Sequence, residues 1–114
     1  MNDTIIREVL WPCGLSGRYR GFPLLITAIR LCIENEGQAR MVSKSLYARV
    51  AEERGCPLYC VERNIRTVIK RAWAVNPGYM RELAGYPMAA PPSSTEFIEI
   101  ISSYILREHL TKRV

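Results

Sequence analysis

The sequence is short of what an active site needs. Its 114 residues hold one histidine, His109, and only four cysteines, with no glycine-rich phosphate loop and no nucleophile beside a visible base. No enzymatic activity, cofactor or metal site is therefore expected, and His109, near the chain end, reads as a helix-end residue. Cys13, Cys32, Cys56 and Cys60 do not form a framework. Cys32 lies in an apolar pattern that reads as core, and Cys56 and Cys60 are one helical turn apart, a poor spacing for a structural disulfide or a zinc site. The amino end, Met1-Asn2-Asp3-Thr4, lacks a basic region followed by an apolar run, and no stretch reaches membrane-spanning length. A cytoplasmic protein with reduced thiols is expected. Nothing alternates with period two for long enough to make a strand.

What is present is helical periodicity in a chain of 48% hydrophobic residues, enough for one domain, 1–114, with one core. The expected fold is all-α with about six helices, two of them short. Asn2 or Asp3 caps a helix from Thr4 to about Leu10, stopped by Pro12 and Gly14. Leu15 to Gly21 reads as a polar connector in which Arg18 and Arg20 are either phosphate contacts or a solvated loop. Phe22 to about Asn35 is the most apolar segment and the expected central helix, followed by a loop over Gln38 to Lys44 that adds Arg40. Val75-Asn76-Pro77-Gly78 is a stop and turn, Tyr79 to Ala84 a short helix closed by Gly85, and Tyr86 to Ser94 a stiff connection through Pro87, Pro91 and Pro92. Ser94 or Thr95 caps the last helix, which runs to about Leu110 with Phe97, Ile98, Ile101, Ile105 and Leu106 at core spacing.

The stretch from Ser45 to Trp73 organises the rest. Leu46, Tyr47, Val50 and Ala51 recur at helical intervals, Gly55 ends that pattern, and Cys56-Pro57 restarts the chain with proline at the first helical position. Ala51, Gly55 and Val61 have the spacing of a helix-turn-helix, in which a small residue allows close packing, glycine makes the turn and an apolar residue anchors the second helix. In that second helix, about 57–75, Leu58, Val61, Ile65, Val68, Ile69 and Ala72 fall on one side and are expected to be buried. Tyr59, Cys60, Glu62, Arg63, Arg66, Thr67 and Lys70 fall on the other.

The charge points the same way. The net charge is +5, and Arg40 to Arg71 alone holds eight basic and three acidic residues, so the remainder is neutral. A polyanion is the natural partner, although an acidic protein surface would satisfy the same electrostatics. In a major groove, arginine can donate two hydrogen bonds to guanine, a carboxylate can accept from cytosine N4, and lysine can meet phosphate. A solvated helix face is the plain alternative for the helix taken alone.

Arg20-Gly21-Phe22 with Ala28-Ile29, Lys44 with Leu46-Tyr47 and Ala51, Val61-Glu62-Arg63 with Ile65-Arg66, Ile69 and Ala72-Trp73, Gly85-Tyr86, Glu96-Phe97-Ile98 and Glu108-His109 occur in this order along nearly the whole chain. In them the chain resembles the family of carboxy-terminal effector domains of the sporulation master response regulator, stage zero sporulation protein A. The resemblance implies a six-helix DNA-binding domain, winged-helix-like but here without a convincing wing, that binds promoter boxes and activates or represses transcription. It implies that Glu62 and Arg63 face the bases and that Arg66 adds a DNA contact. It also implies double-stranded DNA as partner, with self-association on tandem sites and contact with RNA polymerase.

The chain departs from the family's pattern at Tyr59 and Cys60, where a small hydroxyl residue and an arginine are usual, and at Thr67, where histidine is, so part of the base reading is expected to differ. Ala48-Arg49 replaces Pro-Asp and puts a positive charge near a helix N-terminus, where the dipole disfavours it; a phosphate contact by Arg49 would offset this. Lys44, just before the first motif helix, is a further phosphate candidate. The family's regulators carry a phosphoacceptor receiver ahead of this domain, and 114 residues leave no room for one. Control by phosphorylation in cis is therefore not expected, whether a longer protein was trimmed or a stand-alone relative is set by its abundance or a partner. A rival role is a protein-interaction module that pairs with a full-length regulator through the last helix and the proline segment, where Tyr86, Met88 and Tyr104 are candidates for exposure. Cys60 is a candidate redox-sensitive thiol near a helix N-terminus, with a neutral groove-facing thiol the plainer reading.

Overall fold

Eleven of the fourteen residues of the helix Gly21–Glu34 are buried, on every side of the helix. A helix that is apolar all round must be wrapped by other elements, and this one is. In the computed structural model, which describes residues 3–34 and 44–110, six α-helices are present: α1 (Thr4–Leu10), α2 (Gly21–Glu34), α3 (Lys44–Arg54), α4 (Leu58–Val75), α5 (Pro77–Ala84) and α6 (Ser94–Ile105). A 3₁₀ turn, Trp11–Cys13, follows α1, and a π-helical turn, Leu106–Leu110, extends α6. Helix α2 packs against α1, α3, α4 and α6. No strand occurs among the described residues, so the all-α expectation is met and no wing is formed there. No helix among them is long and apolar enough to cross a membrane.

The core joins Leu25, Ile26 and Ile29 of α2 to Val61, Ile65, Val68 and Ile69 of α4 and to Phe97, Ile98, Ile101 and Ile105 of α6. Each such side chain, fully buried, stabilises the fold by about 1.5–3 kcal/mol. Helix α2 meets α4 most closely at Gly21. A Cβ there would lie 2.3 Å from the Asn64 backbone oxygen and 2.3 Å from a Val68 methyl group. Glycine is what lets the two backbones approach.

The helix-turn-helix corner is built as the spacing predicts. Gly55 adopts φ +65°, and the amides of Gly55 and Cys56 donate to the carbonyls of Glu52 (3.4 Å) and Ala51 (3.0 Å), which closes α3 with a Schellman motif. Pro57 does not start the next helix. It is extended at the N-cap (ψ 152°), and its carbonyl accepts from Cys60 and Val61. Leu58, expected in the core, is 36% exposed at the first position of α4.

Other boundaries differ for local reasons. Asp3 stands at the N-cap of α1 without a side-chain cap bond, and Asn2 lies outside the described residues, as do Asn35, Gln38 and Arg40. Leu15 is buried although its connector reads as polar, because it belongs to the main core. Asn76-Pro77-Gly78 does stop α4, but it also starts α5: the Asn76 side chain accepts from the Tyr79 amide at 3.2 Å and donates to the Pro12 carbonyl at 3.0 Å, and Pro77 is the first helical residue. Ser93, not Ser94 or Thr95, caps α6 by accepting from the Glu96 amide at 3.1 Å. Met88 is 9% exposed, not a surface residue, since Arg81 donates to its carbonyl at 2.9 Å and folds the proline segment inward while stacking over Trp73 at 5.1 Å.

Candidate nucleic-acid interface

At 3.6 residues per turn, Tyr59, Arg63, Arg66 and Lys70 fall within an arc of about 60° on α4. Opposite them lie Val61, Ile65, Val68 and Ala72, all buried against the core. The outer four are exposed, Tyr59 at 65%, and Thr67 beside them is exposed too. The Thr67 hydroxyl donates to the Arg63 carbonyl at 3.0 Å, which leaves it able to accept from a partner. Arg30 makes ion pairs with Glu34 and Glu53. The guanidinium groups of Arg63 and Arg66 and the ammonium of Lys70 have no carboxylate against them among the described residues.

Two of the expected face residues turn aside. Glu62 and Cys60 stand on opposite shoulders of the arc, and both are half-buried. Glu62 looks towards the start of α6 and lines a cleft of about 610 Å³ with Tyr47, Arg66, Ile69, Lys70 and the segment Pro91 to Thr95. Cys60 looks towards the start of α2 and lines a hollow of about 240 Å³ with Arg20, Arg54, Cys56 and Asn64. The Cys60 carbonyl accepts from the Asn64 side chain at 2.8 Å. On α3, Arg49 is exposed; Lys44 is its first residue, and its side chain lies outside those described.

Arg20, a phosphate candidate from the connector, and Arg54, which the sequence did not single out, both line the hollow beside α4. They flank the first turns of α4, one from the connector before α2 and the other from the end of α3. No local pattern reveals this, because only the packing of three elements brings them together. Arg71 is the opposite case. Its guanidinium donates to the Tyr19 hydroxyl at 3.2 Å and stacks over that ring at 5.9 Å, tying the connector to α4 across 52 residues of sequence.

The thiols divide by environment. None of the four cysteines is in a disulfide. Cys13 and Cys32 are buried, and burial pushes the Cys13 thiol up to about 12, so it stays protonated and unreactive in the folded protein. Cys56 and Cys60 are half-buried and share the hollow beside α4. Among the described residues no group of three or more His, Cys, Asp or Glu side chains converges as metal ligands would.

The geometry is thus a basic helix face held outward by a helix-turn-helix corner, with further arginines at its shoulder. The family described as sporulation initiation factor Spo0A C terminal matches residues 6–105, from the first core residue of α1 to the last of α6. It is a family of regulatory, DNA-binding domains and not of enzymes. With 100 of its 114 residues matched, the chain belongs to the Spo0A C-terminal effector-domain family.

Proposed function

We propose that this domain binds duplex DNA by sequence and regulates transcription from promoter boxes in the cytoplasm, with α4 lying in the major groove. The observation that carries this reading is the exposed arc of Tyr59, Arg63, Arg66 and Lys70, whose cations meet no carboxylate among the described residues. An arginine left free on an outward helix face can donate two hydrogen bonds to a guanine edge. Arg63, exposed on this arc, has that role here. Arg66, Thr67, Tyr59 and Cys60 meet neighbouring base edges or the sugar-phosphate wall, and Glu62 accepts from cytosine N4 at the shoulder. Lys70, Lys44 and Arg49 contact phosphate, which fixes register without reading sequence. A second copy on a tandem box and RNA polymerase are the further partners that family membership suggests.

The rival protein-interaction surface finds less support. Of its three candidates Tyr86 is exposed, with its hydroxyl donating to Glu96 at 2.7 Å, while Tyr104 is half-buried and Met88 is in the core.

Selection of bound duplexes from a random pool, at near-physiological salt, tests the reading. Wild-type protein should enrich one short box that Arg63→Ala fails to enrich. Absence of any enriched box, together with capture of a full-length regulator that survives Arg63→Ala and Arg66→Ala, would move the function to protein pairing.

A further inference from the structure

The cleft between the helix-turn-helix and the start of α6 holds the donors of an anion site. Its α6 wall is a helix N-terminus whose first amides are open. The Ser93 hydroxyl and carbonyl take the amides of Glu96 and Phe97, and no acceptor occupies those of Ser94 and Thr95 among the described residues. Its α4 wall supplies Arg66 and Lys70. Its floor includes Tyr47, 8% exposed, whose buried hydroxyl makes no hydrogen bond of normal geometry. That hydroxyl lies beside Thr95, with the Glu62 carboxylate and the Arg66 guanidinium both facing it; burial, with Glu62 adding to it, raises its pKa, so it remains a donor. A buried hydroxyl without a partner costs stability unless something completes it. Pro91 and Pro92, which have no amide protons to satisfy, hold the α6 start against α4.

We propose that this cleft seats one backbone phosphate of the duplex, held by the Ser94 and Thr95 amides, the Tyr47 hydroxyl and the Arg66 and Lys70 side chains. The inference rests on the DNA-binding reading above and adds the start of α6 to the contacts made by the two motif helices. A phosphodiester suits the cleft because Arg66 and Lys70 belong both to its wall and to the outward face of α4, so a strand bordering the occupied groove passes its mouth. Open amides at a helix N-terminus favour an oxyanion. Glu62, the acidic side chain lining the same cleft, lies one turn before Arg66 and two before Lys70, so the phosphate belongs on the Arg66–Lys70 side.

Ser94→Pro tests this with little disturbance. It removes one amide donor at the first helical position, where proline is tolerated, and Ser93 already has the extended backbone (ψ 166°) that precedes a proline. Tyr47→Phe removes the hydroxyl alone and serves if the first variant unfolds early. Each should bind every duplex about three- to tenfold more weakly than wild type, without changing which box is preferred. A duplex with a neutral methylphosphonate at one backbone position should lose the same factor with wild type and lose nothing further with Ser94→Pro.

Wild-type affinity in both folded variants would overturn the proposal. So would inorganic phosphate shifting the Ser94 and Thr95 amide resonances while Ser94→Pro still binds duplex as wild type does, which would give the cleft to a free anion. If Arg63→Ala loses the box and Ser94→Pro does not, this anchor fails and DNA reading stands. If wild type enriches no box, the reading beneath it fails.

Discussion

Helices α2 and α4 touch at Gly21 and Val68, yet they use their surfaces in opposite ways. Helix α2 buries eleven of fourteen residues, α4 five of eighteen. The first is surrounded by α1, α3, α4 and α6 and carries no outward message; the second rests one stripe on the core and leaves the rest free for a partner. Stability and recognition are therefore assigned to different helices that share one core and approach tightly at Gly21. Substitutions in α2 should unfold the protein, and substitutions on the outer face of α4 should leave it folded and change what it binds.

The largest effect is expected at Leu25, which is fully buried in the middle of α2. Leu25→Ala removes its contacts and leaves a cavity between α4 and α6, at a cost of about 2–5 kcal/mol. Chemical denaturation should show a lower midpoint with an unchanged slope, and duplex affinity should be normal wherever the variant is still folded. A cost below about 1 kcal/mol would mean that α2 is not the centre of the core.

Gly21→Ala breaks the separation itself. The new methyl group meets the Asn64 backbone oxygen, which cannot rotate away, so α4 must shift as a body. About 1–3 kcal/mol of stability should be lost to overpacking. Unlike Leu25→Ala, the folded fraction should also bind DNA less well, because the reading helix has moved. Unchanged affinity per folded molecule would show that α4 tolerates displacement against α2.

This contrast also explains what the sequence made legible. The split face of α4 and the Ala51, Gly55, Val61 spacing are local patterns, so the corner and the outward arginines could be placed from spacing alone. Helix α1 matched its expected bounds for the same reason. Residues whose environment is set by distant segments were misjudged. Leu58 is apolar but stands 36% exposed at the first position of α4. Met88 is drawn inward by Arg81, and the shoulders that Glu62 and Cys60 face are built by α6 and by the connector before α2. Pro77 shows a subtler limit, since a stop signal for α4 is also the start signal for α5, while at Ser93 three adjacent hydroxyl residues could each cap α6 and only the backbone path decides among them. The cleft and the Arg20–Arg54 hollow had no sequence signature, since each gathers residues from three segments.

On the α4 side, Arg63→Ala should cost about 1–3 kcal/mol of specific binding and flatten base preference. Its effect on stability should stay within about 0.5 kcal/mol, because the side chain is exposed and has no ion-pair partner among the described residues. Lys44→Ala should weaken all duplexes alike and lower the slope of log affinity against log salt by about one. Equal behaviour of the two variants in a salt series with specific and scrambled duplexes would refute the division between base reading and phosphate contact.

The smallest effect is expected where α2 reaches the motif through charge. Arg30, the half-buried cation of α2, pairs with Glu34 on its own helix at 3.2 Å and with Glu53 on α3. Both carboxylates are more than a third exposed, so water and salt screen the pairs and they are worth about 0–1 kcal/mol together. Arg30→Gln should thus lower stability by less than about 1 kcal/mol, and the loss should shrink as salt rises. It should also release Glu53 as an uncompensated negative charge on α3, so non-specific duplex affinity should fall slightly at low salt while box preference is kept. A loss of box preference would mean that Arg30 orients the motif, and that α2 contributes to recognition as well as to the core.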